Sequence, residues 1–419
     1  MSKKLYNRES YLNQIRPFYN DQELIKVLTG IRRCGKSSIM QLIEEELRAN
    51  GVNESNIIYV NLDKRPYIGV KTQDQLEKVL AEKIDNVMGF KYLFVDEIQN
   101  VKDFEVVINA FREEGDISIF ITGSNSYLLS GELVTKLTGR YIEFKIGTLS
   151  FSEWIGMKKY LGQNIDVDLD KELDTYIVEG GFPYSLYLST AEAKEAYIND
   201  LIKEIFEKDI RKNHKIRDKH LFEQIEQFMI NNFGATISVN SICDALEKIN
   251  KTRPSKKTIY AYLNVLENAK ILQKCQRFDL KSKKALSKEG KYYLTDLSFC
   301  YAINTDKRIN YGPVLENIIY NYIKSKGYEI SVGRIGKLEV DFIARNHNGY
   351  SYIQVAKTIQ SEDVNERGIP YVEEREYRPL ESIKDNYPKY VLTLDKLLQK
   401  RNGILNKNIV QMLINDESI

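Results

Sequence analysis

Residues 30–38, GIRRCGKSS, have the spacing of a phosphate-binding loop: glycine, four residues, glycine, lysine and serine. Gly30 and Gly35 permit the tight turn that such a loop makes. We expect the Lys36 ammonium to reach the β- and γ-phosphates of a nucleoside triphosphate and the Ser37 hydroxyl to bind Mg²⁺. The backbone N–H groups expected to face the phosphates are those of Arg33, Cys34, Gly35, Lys36, Ser37 and Ser38.

A pair of carboxylates supplies the second part of this chemistry. In residues 91–101, KYLFVDEIQNV, the apolar segment from Tyr92 to Val95 is followed by Asp96 and Glu97. Apolar runs without alternation are typical of parallel strands buried on both faces, and α/β sheets bind ligands at the carboxyl ends of such strands. Asp96 is therefore expected to hold Mg²⁺, and Glu97 is expected to act as general base on the attacking water.

Polar residues also follow a second apolar run, Ile117 to Ile121, in the sequence TGSNS. If that run is a strand, Ser124 or Asn125 is placed to contact the γ-phosphate or the attacking water. The alternative is that one of them caps the next helix.

The elements that must position these residues can be read from the flanking sequence. Leu24–Thr29 is predicted to be a short buried strand that leads into the loop. Ser38–Asn50 has apolar residues at helical spacing and is predicted to be the helix that follows it. A strand, a glycine-rich turn and a helix are the context in which the phosphate-binding motif is credible.

Composition sets the broad class of the protein. At 419 residues, with 42% hydrophobic and 29% charged residues, the chain is expected to be globular with about three domains. The four cysteines include no C-x-x-C pair, which argues against a zinc site or a disulfide scaffold. The N-terminus has no signal-peptide core and no run is long enough to span a membrane, so we expect a cytoplasmic protein without membrane contact.

Several motifs together make the chain resemble the AAA+-type P-loop ATPases of a large bacterial and archaeal family. The matching segments are LTGIRRCGKSS, YLFVDEIQNV, FITGSNSYLLSGEL, LTGRYIEFKIGTLSFSEW and EGGFPYSL. The resemblance implies an α/β fold with a parallel-sheet ATPase core, a helical lid, a winged-helix domain and a C-terminal restriction-endonuclease-like region of the DUF4143 type. The predicted domains are residues 1–150, 151–213, 214–303 and 304–419, in that order. ATP and Mg²⁺ are the implied cofactors.

The resemblance also implies two further ATPase residues. Arg140, in LTGRY, is similar to the arginine finger that one AAA+ subunit supplies to its neighbour, which implies a homo-oligomer; the alternative is a salt bridge at a helix end. Pro183, in GGFP, is similar to the lid element that packs on the nucleotide; the alternative is a simple loop between helices.

Basic residues are concentrated in the predicted winged-helix domain. Residues 251–291 contain twelve basic and three acidic residues, on a chain whose net charge is +2. This distribution is expected for phosphate contacts with double-stranded DNA, although winged helices also dock proteins and a lysine-rich surface can simply be solvated. The candidate DNA-binding residues are Arg253, Lys256, Lys257, Lys281, Lys283 and Lys284.

The C-terminal region resembles nucleases that bind Mg²⁺ through a helix Glu, a strand Asp and an acid-x-lysine strand. Glu316, Asp341 and Gln354 occupy the three acid positions, but Gln354 is neutral and the lysine position is Ala356. Strand alternation predicts that Lys357 points to the opposite face. We therefore expect a vestigial module that is retained for binding or assembly.

Three functions are compatible with these patterns. The first is an ATP-hydrolysing switch or motor that acts on DNA. The second is an ATP-gated nuclease, and the third is a nucleotide-dependent signalling scaffold that binds a protein partner. Salt-sensitive binding to DNA would distinguish the first from the third, because each phosphate contact releases counterions.

Overall fold

The strands around the glycine-rich loop form one sheet in the computed structural model, which describes residues 5–123, 139–211, 216–282, 284–347, 349–364 and 370–419. The chain divides into two units. Unit 1 contains the residues up to Thr148 together with Asn268–Lys270, and unit 2 contains Leu149–Glu267 and Ile271–Ile419.

Unit 1 is an α/β layer structure. Its elements are α1 (Glu9–Ile15), β1 (Ile25–Thr29), α2 (Lys36–Ala49), β2 (Ile57–Asn61), α3 (Gln73–Ile84), β3 (Lys91–Asp96), α4 (Phe104–Glu114), β4 (Ile117–Gly123) and β5 (Tyr141–Lys145). The five strands are parallel and lie in the order β2-β3-β4-β1-β5. The predicted parallel sheet, its strands before Gly30 and Asp96, and the helix after the loop are confirmed.

The core of unit 1 lies between this sheet and its helices. Every residue of β1 and β4 is buried, as expected for central parallel strands. Lys26 is the charged member of β1, and it is fully buried. Its ammonium donates hydrogen bonds to the Ser118 hydroxyl (2.7 Å) and to the Asp21 carbonyl (2.5 Å). These bonds satisfy a charged group that would otherwise be costly to bury.

Unit 2 begins with helices, as predicted for residues 151–213. They are α5 (Phe151–Tyr160), α6 (Leu169–Glu179) and α7 (Ala191–Ile205). The next elements are α8 (Lys219–Asn231), β6 (Thr236–Ile237), α9 (Val239–Asn250), α10 (Lys256–Asn268), β7 (Leu272–Asp279), β8 (Lys284–Leu294) and α11 (Ser298–Ile303). The helices α8, α9 and α10 and the β7–β8 hairpin follow one another as predicted for residues 214–303, whereas the short strand β6 and the helix α11 were not predicted.

The remaining elements complete a mixed sheet. They are α12 (Tyr311–Ser325), β9 (Glu329–Ile335), β10 (Leu338–Asn346), β11 (Gly349–Val355), α13 (Tyr371–Glu381), β12 (Lys389–Thr393), β13 (Lys400–Arg401), β14 (Ile404–Asn408) and α14 (Ile409–Ile414). The sheet has nine strands in the order β13-β14-β12-β11-β10-β9-β7-β8-β6.

One strand pairing in this sheet crosses the predicted boundary between residues 303 and 304. The end of β7 pairs in parallel with β9, with Arg277 opposite Val332 and Asp279 opposite Arg334. The β7–β8 hairpin is therefore anchored in the C-terminal sheet rather than standing alone as a wing.

Candidate functional site

The phosphate-binding loop joins β1 to α2 through a strained turn. Gly30 has φ +155°, and a Cβ atom there would lie 2.1 Å from the Ile146 carbonyl oxygen, so this position requires glycine. Gly35 (φ 108°) and Arg33 (φ 67°) are also in left-handed backbone regions. Because α2 begins at Lys36, the free N–H groups of its first turn lie at the end of the loop. This arrangement suits an anion.

Lys36 is buried within its own loop. The residue is only 4% exposed, and its ammonium donates hydrogen bonds to the carbonyl oxygens of Gly30 (2.9 Å) and Ile31 (3.1 Å). Ser37 and Ser38 are half-buried beside it, whereas the Cys34 side chain is buried and contacts the Ile146 carbonyl (Sγ to O, 3.3 Å). The lysine is thus held at the mouth of the loop by weak neutral acceptors.

Asp96, at the end of β3, is fully buried and held by three side chains. Its Oδ2 accepts hydrogen bonds from the Tyr59 hydroxyl (2.9 Å) and the Asn61 amide (2.7 Å), and its Oδ1 accepts one from the Thr122 hydroxyl (2.5 Å). Tyr59 and Asn61 belong to β2 and Thr122 belongs to β4, the two strands that flank β3. The carboxylate is therefore fixed in position by both neighbours.

Glu97 follows Asp96 in a left-handed conformation (φ 59°). Its N–H donates to the Thr122 hydroxyl (3.1 Å), and its carboxylate accepts a hydrogen bond from Gln99 (2.5 Å). Burial raises the pKa of Glu97, while the charges of Lys36 and Arg32 act in the opposite direction. Burial and the loop cations therefore have opposite effects on the pKa of Glu97, and burial is the larger of the two.

The register of the sheet brings the loop and the carboxylates to one edge. Val95 lies opposite Ile121 and Val27 lies opposite the same residue, so Asp96 is nearly level with the end of β1. Both therefore lie at the carboxyl edge, where α/β sheets bind ligands. The Ser37 hydroxyl and the Asp96 carboxylate are oxygen donors of the kind that Mg²⁺ prefers, so the residues present fit this ion.

One predicted ATPase residue, Arg140, does not join this group. Arg140 lies just before β5, whose first residue pairs with Ile25, at the amino edge of the sheet. At about 3.3 Å per residue the length of β1 puts it roughly 13 Å from the loop edge. Its guanidinium contacts Asn109 (3.2 Å) and Glu113 (3.8 Å) on α4. Arg140 is thus not positioned to act on the nucleotide of its own chain.

Pro183 and the pair Ser124 and Asn125 stay predictions. Pro183 begins a short 3₁₀ helix in unit 2, after Gly180 and Gly181. The Gly181 N–H donates to Asp296 (2.8 Å), and a Cβ on Gly180 would lie 2.0 Å from that carboxylate. Ser124 and Asn125 lie outside the described residues.

Arg8 is a buried residue of this region that the sequence analysis missed. It is 4% exposed, and its guanidinium donates to the carbonyl oxygens of Cys34 (3.0 Å), Gly147 (3.0 Å) and Thr148 (3.2 Å). It therefore ties the phosphate-binding loop to the residues at which unit 1 ends. No local pattern marks such an arginine. Asn61, by contrast, is a polar residue at the carboxyl end of a strand, the same signal that identified Asp96.

The candidate DNA-binding residues are exposed where they are described, but they differ in whether their charge is already paired. Lys256 and Lys257 are exposed in the first turn of α10, and Tyr260 is exposed one turn later (55%). Arg253 is paired with Asp244 (2.5 Å) and Glu247 (2.6 Å), so it does not present an unpaired charge. Two residues of the β7–β8 hairpin, Lys281 and Lys284, are exposed, while Lys283 lies outside the described residues.

The three predicted nuclease-like residues meet in one cavity of about 600 Å³ in unit 2. Glu316 comes from α12, Asp341 from β10 and Gln354 from β11. Lys357 lines the same cavity, so the prediction that it faces the other way is wrong. The reason is that β11 ends at Val355, and strand alternation does not extend to Lys357. Its ammonium lies 4.1 Å from the centre of the Tyr311 ring.

Comparison with known proteins agrees with this geometry. Residues 22–155 match the AAA domain family, and residues 170–308 match a domain of unknown function, DUF8612. The structure is similar to the Walker-type ATPase PABY2304 of Pyrococcus abyssi, with a TM-score of 0.50 and 15% identity, over 71% of this chain and 95% of that one. The fold and the loop therefore define a P-loop, nucleotide-binding ATPase.

A relative that matches nearly the whole chain identifies the family. An uncharacterized protein of Haemophilus influenzae is 34% identical over 94% of each chain. The uncharacterized protein MJ1544 of Methanocaldococcus jannaschii is 28% identical over 77% of this chain and 73% of its own. The chain belongs to the same family as this Haemophilus protein, and its residues 22–155 form an AAA domain of the P-loop ATPase type. Within the described residues, no helix combines the length and the hydrophobicity that a membrane span requires.

Proposed function

We propose that the protein is an ATP-driven switch or motor that acts on double-stranded DNA through α10. The observation that carries the ATPase part is the meeting of the Gly30–Ser38 loop, Asp96 and Glu97 at one sheet edge. The observation that carries the DNA part is the exposed pair Lys256 and Lys257 at the start of α10.

At the ATP site each residue has a role suited to its surroundings. The Lys36 ammonium exchanges its two carbonyl acceptors for phosphate oxygens, which are stronger partners because they are charged. Ser37 and Asp96 would hold Mg²⁺, which when bound neutralises charge on the phosphates. Glu97 accepts a proton from the attacking water, and a carboxylate whose pKa is raised by burial is a better base for that step.

In this proposal a second copy of the chain completes the ATP site by supplying Arg140. Arg140 is half exposed and lies at the far edge of its own sheet, so its guanidinium is suited to the nucleotide of a neighbouring subunit. Pro183 and the helices α5 to α7 would act as the lid that follows the nucleotide state.

DNA binding is supported by the side chains on one face of α10. Recognition helices of helix-turn-helix and winged-helix proteins contact the major groove through their first residues. Lys256 and Lys257 are the first residues of α10. Both ammonium groups can contact phosphates, and the exposed ring of Tyr260 offers an apolar surface beside them. Lys281 and Lys284, on the hairpin, would add contacts to the backbone of the duplex.

Salt-dependent binding tests this proposal. Duplex DNA is expected to bind and to raise the rate of ATP hydrolysis. In the double variant Lys256→Gln, Lys257→Gln, the slope of log affinity against log salt should fall by about 1 for each lysine removed. The stimulation of ATP hydrolysis by DNA should fall with it, while the rate without DNA stays unchanged.

The double variant Lys203→Gln, Lys208→Gln is the matched control. It removes the same charge from exposed positions on α7 and in the turn after it, which are not part of α10. We expect it to bind DNA like the unmodified protein. The DNA part of the proposal fails if duplex DNA neither binds nor changes ATP turnover. It also fails if the control weakens binding as much as the α10 variant.

A further inference from the structure

The nuclease-like cavity already contains a cation, the ammonium of Lys291. This residue lies on β8, outside the segments that suggested a nuclease, and it is only 5% exposed. Its Nζ is 2.7 Å from a Glu316 oxygen, 3.0 Å from a Glu339 oxygen and 3.9 Å from an Asp341 oxygen. One ammonium therefore joins carboxylates from α12 and β10.

Further acceptor oxygens of this group are engaged by protein donors. Asp341 Oδ2 accepts the Val355 N–H (2.9 Å), and Glu339 Oε2 accepts a hydrogen bond from Arg277 (2.6 Å). Glu316 Oε2, which faces Lys291, also accepts the Tyr293 hydroxyl (3.0 Å). These protein donors hold the three carboxylates in place around the Lys291 ammonium.

Gln354 is also committed to protein contacts. Its carbonyl oxygen accepts the Asp341 N–H (2.8 Å), and its amide group donates to Glu376 (2.8 Å). The residue at the third acid position therefore serves as a bridge between β10 and α13. It is not a ligand.

The energetics favour the lysine as the resident charge. Burial by itself would lower the pKa of Lys291, but Glu316, Asp341 and Glu339 outweigh it and raise that pKa well above its usual range. The lysine therefore stays charged. A divalent cation placed among the same oxygens would lie a few ångströms from this charge, where repulsion at low effective dielectric is strong. Mg²⁺ also demands near-octahedral oxygen geometry, and no group of three His, Cys, Asp or Glu in the described part of the chain is arranged to hold a metal.

We propose that Lys291 is the built-in cation of this cavity, which holds α12, β8 and β10 together and excludes the Mg²⁺ that the nuclease resemblance implies. The residues present do not fit that ion. The cavity is accordingly a latent divalent-cation site, closed by one lysine, and the C-terminal region does not cleave DNA.

Mn²⁺ binding to the nucleotide-free full-length protein tests this proposal, because bound Mn²⁺ can be counted by paramagnetic resonance. The unmodified protein and Asp341→Asn should bind the same amount of Mn²⁺, since the cavity contributes no site in either. Lys291→Met keeps an unbranched apolar stem but removes the charge, and it should gain a Mn²⁺ site. That gain should disappear in Lys291→Met combined with Asp341→Asn.

Lys337→Met is the matched control, because Lys337 also lines the cavity but is exposed and, among the described residues, forms no ion pair with the carboxylates. It should bind Mn²⁺ like the unmodified protein. The proposal is overturned if the unmodified protein has a Mn²⁺ site that Asp341→Asn removes, or if a folded Lys291→Met gains none. If Lys291→Met does not fold, the comparison of the unmodified protein with Asp341→Asn decides the question alone. Mn²⁺-dependent DNA cleavage that Asp341→Asn abolishes would overturn it equally.

Discussion

Replacing Thr122 by valine should show how strongly ATP turnover depends on the positions of Asp96 and Glu97. Valine has nearly the same shape as threonine, so the fully buried position on β4 stays filled. The change removes the hydroxyl that donates to Asp96 Oδ1 (2.5 Å) and accepts the Glu97 N–H (3.1 Å). One substitution therefore disturbs both carboxylate residues at once.

The magnitude follows from these two contacts. A hydrogen bond to a charged group contributes about 1.5–3 kcal/mol, and a buried donor left without an acceptor costs about 1–3 kcal/mol. Because the two effects share one hydroxyl and are not additive, we expect the free energy of unfolding to fall by roughly 2–4 kcal/mol. A carboxylate released on one side is also less well placed for the nucleotide, and ATP turnover should fall at least about tenfold, the equivalent of 1.4 kcal/mol.

Urea unfolding and steady-state ATP hydrolysis are the assays, and Thr122→Ser is the control. Serine keeps the hydroxyl, so its variant should retain most of the turnover while losing some stability with the methyl group. Two results would refute the reasoning. One is a Thr122→Val protein with unchanged stability and turnover. The other is a serine variant as inactive as the valine variant.

Two other residues of unit 1 give separate predictions. Arg8→Lys replaces a guanidinium that joins three carbonyl groups by a single ammonium, so ATP binding, measured by fluorescence titration, should weaken about tenfold; unchanged affinity would contradict this role. Burial lowers the pKa of Lys26 to about 7, below the value of about 10.5 expected in the unfolded chain. Between these values the unfolded chain binds more protons, so stability rises with pH, by at most about 1.4 kcal/mol per pH unit. Urea unfolding at pH 7 and pH 9 measures this rise in the free energy of unfolding, which should be smaller in Lys26→Met than in the unmodified protein. An equal rise would refute the lowered pKa of Lys26.

The parts of the ATP site that are encoded by residues adjacent in the sequence could be predicted. A strand, a glycine turn and a helix around Lys36, and a strand that ends in Asp96, are encoded within about ten residues of each group. The hydrogen bonds to Asp96 from Tyr59 and Thr122 depend on strand order instead. That order places β2 and β4 beside β3, and it cannot be predicted from the residues next to Asp96 in the sequence.

The C-terminal cavity shows the same limit more clearly. The resemblance to Mg²⁺-dependent nucleases predicts that Glu316, Asp341 and Gln354 lie together, and they do line one cavity. Lys291 is one of the twelve basic residues counted between residues 251 and 291, and the sequence pattern does not connect it with the later strands. The pairing of β7 with β9 joins the two regions, and this long-range contact turns a surface lysine into the centre of an acidic cluster.

Binding and hydrolysis of ATP by the unmodified protein, Lys36→Ala and Glu97→Gln test the central claim most directly. Lys36→Ala should lose tight ATP binding and turnover, because the ammonium at the mouth of the loop is gone. Glu97→Gln should still bind ATP but hydrolyse it at least about 100-fold more slowly, the lower range for loss of a general base. The claim would be contradicted by a Lys36→Ala protein that binds ATP tightly and hydrolyses it at the unmodified rate.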